Sequence, residues 1–137
     1  MKLLFCHDTS KAAQGALDET LKYFSCQRPE IILLTVVEGP LDASMENEGI
    51  FDELEKDIRN KHRKIAEGIS KAGFDVDAIV ATGDSRTMII EATKNKAPDI
   101  IVVGKRGGGR VKEMILGSVS AYVVRHAPCP VLVMPTA

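Results

Sequence analysis

Apolar residues in this chain fall into short unbroken runs and into longer stretches where they recur every three or four positions. The runs are Leu3 to His7, Ile31 to Val37, Asp75 to Ala81, Ile100 to Val103 and Val131 to Met134. Most are continuous rather than alternating, the pattern of strands covered on both faces, as in a parallel sheet flanked by helices. The third sets Asp75 and Asp77 between Phe74, Val76 and Ala78. That alternation predicts a place nearer a sheet edge.

Helical spacing fills the intervals. After Asp8-Thr9-Ser10, any of which can cap a helix, Ala13, Leu17, Leu21 and Phe24 make one stripe, widened by Ala16 and Thr20. Ile50, Leu54, Ile58, Ile65, Ile69 and Ala72 predict a second, longer helix whose other face carries Glu53, Lys56, Asp57, Lys61 and Lys64. His62 is expected on that solvated face, and Gly73 is placed to end the helix. Asp84-Ser85 can cap a third helix with Met88, Ile89 and Ala92, stopped before Pro98. A fourth is expected from about Ser118 to His126, with His126 favoured at its carboxyl end when protonated. The stretch from Glu38 to Glu48 is the only long connection and is expected to be mobile or a lid.

The order β-α-β-α-β-α-β-α-β predicts an α/β fold: a single doubly wound, mostly parallel five-stranded sheet flanked by helices, Rossmann-like, with residues 1–137 forming one domain. Ligands of such sheets bind beyond the carboxyl ends of the strands, where strand order reverses. With the first and fourth strands as central neighbours, the loops after His7 and Val103 would face one another across that crevice.

Composition narrows the picture. A length of 137 residues with 45% hydrophobic content suits one core. Eighteen Lys and Arg against nineteen Asp and Glu leave a net charge of -1. That balance argues against general attraction to nucleic acid or anionic lipid, so an anion would need a local site. Cys6, Cys26 and Cys129 lack CxxC spacing and read as reduced thiols, with Cys6 and Cys129 packed. The apolar start, Leu3 to Cys6, is too short for an export signal, and no run is long enough to span a bilayer. The expectation is a cytoplasmic protein.

The fourth strand runs straight into Gly104-Lys105-Arg106-Gly107-Gly108-Gly109-Arg110, and Leu116-Gly117-Ser118-Val119 then opens a helix. Glycines let a backbone approach a ligand and adopt positive φ. Free N–H groups at Gly117, Ser118 and Val119, together with the helix dipole, favour an anion. The Ser118 hydroxyl can donate another hydrogen bond, and Lys105, Arg106, Arg110 and Lys112 add cations, a match to a polyphosphate. The competing reading is a plain surface turn, which the spacing Gly-x2-Gly-x9-Gly-Ser between strand and helix disfavours. There is no P-loop GxxxxGK and no GxGxxG at the first turn.

Gly104-x2-Gly107-x9-Gly117-Ser118, followed by Val119-Ser120 and His126-Ala127-Pro128-Cys129-Pro130-Val131-Leu132-Val133, resembles the carboxyl-terminal signature of the ATP-binding branch of the universal stress proteins. The similarity extends over the chain, through Asp8 past the first strand, Ile32 to Val37, Thr82-Gly83-Asp84 and Ala97-Pro98-Asp99. The resemblance implies an adenine nucleotide alpha-hydrolase-like fold and an adenosine pocket lined by Cys6, His7, Asp8, Val36 and Val103, with Gly104 near the ribose. It further implies phosphates held by Gly107, Gly117, Ser118 and Val119, with Arg106 pairing to a phosphate oxygen. Asp8 could bind ribose hydroxyls, help hold a divalent cation such as Mg or Mn, or only cap the first helix. His7 stands where a smaller residue is usual and could pack against neighbours or touch the ligand.

The resulting reading is an ATP-binding regulatory or stress-response protein, with AMP as another possible ligand and no assigned catalytic residue. The alternatives are a slow ATPase or nucleotidyl-transfer enzyme, and an interaction module without nucleotide. A homodimer through Val131 to Met134 is expected, because that strand would lie at a sheet edge and is almost wholly apolar.

Overall fold

A computed structural model describes residues 1–39, 48–105 and 116–135. Its elements are β1 (Lys2–Cys6), α1 (Lys11–Tyr23), β2 (Glu30–Val37), α2 (Glu48–Lys71), β3 (Val76–Thr82), α3 (Ser85–Lys96), β4 (Ile100–Gly104), α4 (Ser118–His126) and β5 (Val131–Met134). The five strands are parallel and ordered β3-β2-β1-β4-β5. The expected α/β architecture is therefore present, with β1 and β4 as neighbours and β3 at an edge.

Alternate residues of the strands feed two cores. Leu3 and Phe5 of β1, with Ile31, Leu33 and Val102, pack against Ala16 and Leu17 of α1 and Ala66 and Ile69 of α2. Leu4, Ile32, Leu34, Ile101 and Val103 face the other way, onto Ile89 of α3 and Val123 of α4. Two helices thus cover each face, which is why the central strands carry no alternation. Each large side chain buried this way contributes about 1.5 to 3 kcal/mol.

Local signals fix the helix ends. Ser10 is the cap of α1, its hydroxyl accepting the Ala13 N–H at 3.1 Å. Asp84 caps α3 through the Thr87 N–H, and hydrogen bonds from that N–H and from the Thr87 hydroxyl hold the Asp84 carboxyl below its ordinary pKa. Gly73 follows α2 at φ +93, a conformation that favours glycine.

Two expectations for α2 require correction. Ile50 and Leu54 are exposed, so the packed stripe starts further along the helix. A 24-residue helix is about 36 Å long, whereas the eight residues of β2 span about 26 Å; α2 outreaches the strand beneath it. Conversely, His62 is not on the solvated face but buried, at 4% exposure. It lies four residues from Ala66 and seven from Ile69, on their stripe, and charge class had hidden that spacing. The Glu38 to Glu48 lid expectation falls largely on residues 40–47, outside the described residues.

Among the three thiols, Cys26 is exposed while Cys6 and Cys129 are partly covered. Burial pushes the Cys6 thiol up to about 12 and raises that of Cys129. Only a thiolate reacts rapidly with alkylating agents. In native protein at pH 8, iodoacetamide should therefore modify Cys26 well before the other two, as read by peptide mass spectrometry. Early labelling of Cys6 would contradict its packing.

Candidate functional site

The sheet reverses direction of winding between β1 and β4: the chain leaves β1 for β2 on one side and β4 for β5 on the other. Both strands end at the same edge, β1 leading into His7 and Asp8 and β4 ending at Gly104. The amino end of α4 lies beside them. Gly117 N–H donates to the Lys105 carbonyl at 2.8 Å, and the buried Ser120 hydroxyl donates to the Gly104 carbonyl. These two bonds bind the start of α4 to the end of β4.

Several of the expected site residues gather here. Val103 belongs to the core on the α3 and α4 side, and Cys6, Val36 and Val119 pack against the same cluster. Gly104 is half-buried at the end of β4, and Ser118 is exposed at the first position of α4. Asp8 is exposed past β1, and its Oδ1 accepts the Ser10 N–H at 2.9 Å. Arg106 and Gly107 lie outside the described residues, as do Arg110 and Lys112.

His7 is placed differently. Its ring turns to the opposite face, 5.9 Å from the ring of Phe5, where it is buried and bonded to Thr9 and Gln14. Between the two readings left open by sequence, its contacts are those of packing. Its Nδ1 accepts the Thr9 N–H at 2.8 Å, and so shapes the turn that presents Asp8.

Gly117 also departs from expectation. Its φ is -66, extended backbone open to any residue, and its N–H is engaged by Lys105. Neither positive φ nor a free N–H holds at this position. Among the described residues the cap makes no side-chain hydrogen bond, and the first-turn N–H groups of α4, at Ser118 and Val119, have no partner within the helix.

Ser120 was passed over as part of a signature. It joins β4 to α4 through the Gly104 carbonyl, and its place three residues after the capping Gly117 was its only sequence signal. Among the described residues, no cluster of three or more His, Cys, Asp or Glu is arranged to hold a metal ion.

A parallel sheet of order β3-β2-β1-β4-β5 with helices on both faces defines the doubly wound α/β class, in which ligand sites lie at the switch point beyond the carboxyl ends of the strands. The Universal stress protein family model matches residues 1–135, and the chain belongs to that family. It is 31% identical over 144 residues to universal stress protein YxiE of Bacillus subtilis, covering 97% of both chains. Its fold matches the solved structure of MJ0577, a universal stress protein of Methanocaldococcus jannaschii, with a TM-score of 0.87 at 29% identity over 99% of this chain and 96% of that one. Two more distant structures share the fold: an Arabidopsis thaliana family protein with AMP bound, TM-score 0.72 at 24% identity over 100% and 92% of the chains, and a universal stress protein in complex with cAMP, TM-score 0.74 at 21% over 100% and 98%.

The Ser120 link yields a direct test. Ser120→Ala removes a buried donor and leaves the Gly104 carbonyl without it, at a cost of about 1 to 3 kcal/mol. Urea denaturation should register that loss. An unchanged midpoint would mean the β4–α4 junction does not depend on this bond.

Proposed function

We propose that this chain binds an adenine nucleotide, ATP in the first instance, in the crevice between β1 and β4, and acts through the bound state as a regulatory factor rather than a catalyst. The observation that carries the reading is the meeting of three features at one edge. The apolar cluster of Cys6, Val36 and Val103 suits a base, Asp8 suits ribose hydroxyls, and the α4 amino terminus suits phosphate. AMP and cAMP in the two distant relatives share the adenine and phosphate that this set would recognise. A divalent cation such as Mg or Mn would neutralise the phosphates of ATP; it is assigned no side-chain ligand. Gly104 would lie near the ribose, and Gly107 and Arg106 would complete the phosphate loop.

Thermal melts with ATP, ADP, AMP and cAMP test the proposal. A ligand selective for the native state at about 100 times its Kd adds roughly 2.7 kcal/mol. The absence of any shift at millimolar nucleotide, in protein shown to carry none already, would refute it. Ser118→Ala should weaken ATP by about 1.5 to 3 kcal/mol, the loss of one hydrogen bond to a charged group. Calorimetric titration measures this directly, and wild-type affinity in that variant would move the phosphate away from α4.

We also propose that two copies pair through β5. This strand is bonded to β4 on one side, lies at the end of the sheet and exposes part of Val131, Leu132 and Val133. Antiparallel pairing about a two-fold axis would satisfy its outer backbone groups. Pro130 and Pro135 lie just outside the four paired residues and limit the contact to them. Light scattering should give about twice the 14.9 kDa chain mass, and Val133→Lys should shift it toward the monomer. A wild-type monomer at high micromolar concentration would rule out this pairing.

A further inference from the structure

The face of the sheet under α1 and α2 holds two buried imidazoles, His7 at 3% and His62 at 4% exposure. His7 Nδ1 accepts the Thr9 N–H at 2.8 Å, so in the neutral ring the proton sits on Nε2, 3.2 Å from Gln14 Oε1. The Gln14 amide nitrogen donates to Asp18 Oδ1 at 3.0 Å, which keeps its carbonyl oxygen toward His7. His62 Nδ1 lies 2.7 Å from the Thr35 hydroxyl, and its buried Nε2 has no hydrogen-bond partner among the described residues.

Neither ring is prepared for a second proton. On His7, a proton at Nδ1 would point at the Thr9 N–H and remove the acceptor that holds the turn. On His62, it would place a charge beside an already unpartnered nitrogen. Such a charge is costly in a buried site.

Among the described residues the surrounding charges are few. His7 faces Asp8 in its own loop, Asp18 on α1 and His62 on α2; His62 faces His7 and, on its own helix, Arg59, while β2 contributes only the neutral Thr35. Burial lowers the pKa of His7, against smaller raising effects of Gln14, Asp8 and Asp18. Burial also lowers that of His62, assisted by His7 and Arg59. Gln14 and Asp18 line an open groove of about 380 Å³ between α1 and α2, which gives solvent a path to the hydrogen-bond chain ending at His7.

We propose that His7 and His62 form a proton-sensitive latch: while both rings are neutral, His7 holds the Asp8–Thr9 turn and His62 seats α2 on Thr35 of β2; a proton on His7 releases the turn, a proton on His62 loosens α2, and both changes weaken nucleotide binding. The effect on nucleotide rests on the site proposed above; the latch itself rests on the two rings and their partners.

The pH direction follows from the lowered values. The released or unfolded rings titrate near the ordinary 6.5 and the buried rings below it, so the latched state is fully favoured above about pH 6.5 and loses ground as pH falls. With two such groups, the latched-to-released ratio falls by up to about a hundredfold per pH unit within that window, and by up to about tenfold with one.

The test uses the whole chain and the His62→Gln variant, which keeps a polar side chain that cannot be charged. Ring C–H resonances followed by NMR from pH 8 to 5 should show His7 and His62 titrating below the ordinary 6.5, with the Thr9 amide losing exchange protection over the same range. Urea melts should show a pH slope about tenfold per unit shallower in His62→Gln. Buried rings that titrate at or above the ordinary 6.5, or an unchanged slope in the variant, would overturn the latch. If His62→Gln does not fold, the wild-type ring titration and Thr9 exchange decide alone.

ATP affinity measured at pH 7.5 and 5.5 supplies the second arm, since the nucleotide's own phosphate titration cancels between the two proteins. Wild type should lose more affinity than His62→Gln, by at most about tenfold per pH unit. Equal losses would overturn latch control of the site. ATP binding by neither protein at any pH would instead refute the nucleotide site and leave the latch to the NMR result.

Discussion

The constraint on which the structure depends is the double burial of β1. Its Leu3, Leu4 and Phe5 are at most 1% exposed, and the strand is hydrogen-bonded on one side to β2 and on the other to β4. A strand with no free edge and no free face can communicate with solvent only through its ends. At the amino end, Lys2 and Asp99 close the sheet through two backbone-linked hydrogen bonds. At the carboxyl end the chain must turn out to reach α1, and the turn carries Asp8. The location of the candidate site is thus a consequence of topology before any site residue is considered.

Much of this was legible in the sequence because the signals were redundant. Continuous apolar runs specified covered strands, and Ser10, Gly73, Asp84 and Pro98 independently marked the helix ends. Strand limits shifted by a residue where pairing decides them: β1 ends at Cys6, although the His7 N–H still donates to the Leu34 carbonyl. The glycines marked the junction between β4 and α4. What was not legible was the use of individual donors. The Gly117 N–H is taken by the Lys105 carbonyl, a partner brought close only when the chain returns from β4 to α4. His62 shows the opposite error, a correct spacing overridden by the habit of assigning polar residues to water.

The polar residues buried under α1 and α2 are distributed unevenly along the strands. On this face Leu3, Phe5, Ile31 and Leu33 are apolar and occupy the amino-terminal parts of β1 and β2, whereas Thr35 and His7 follow toward the carboxyl ends. The register aligns them, because Phe5 pairs with Leu33 and the His7 N–H donates to the Leu34 carbonyl. Apolar burial therefore prevails at one end of this face, while toward the other, beside Val37, hydrogen bonds take part, with energies that are smaller and depend on geometry.

That substitution supports a turn the chain would not adopt unaided. Thr9 lies at φ +67, a left-handed conformation that costs a β-branched residue about 1 to 3 kcal/mol and persists only where neighbours enforce it. Two of its constraints are visible: Thr9 N–H bonds to the His7 ring, and Ser10 N–H bonds to Asp8. An apolar residue at position 7 would pack at least as well against Phe5, but it could not accept the Thr9 N–H. The imidazole is explained by the turn it holds, and the turn in turn by the exposed position it gives Asp8 at the mouth of the crevice. A buried polar group that core packing does not require, coupled to a strained turn at the switch point, places a local conflict where function is expected to reside.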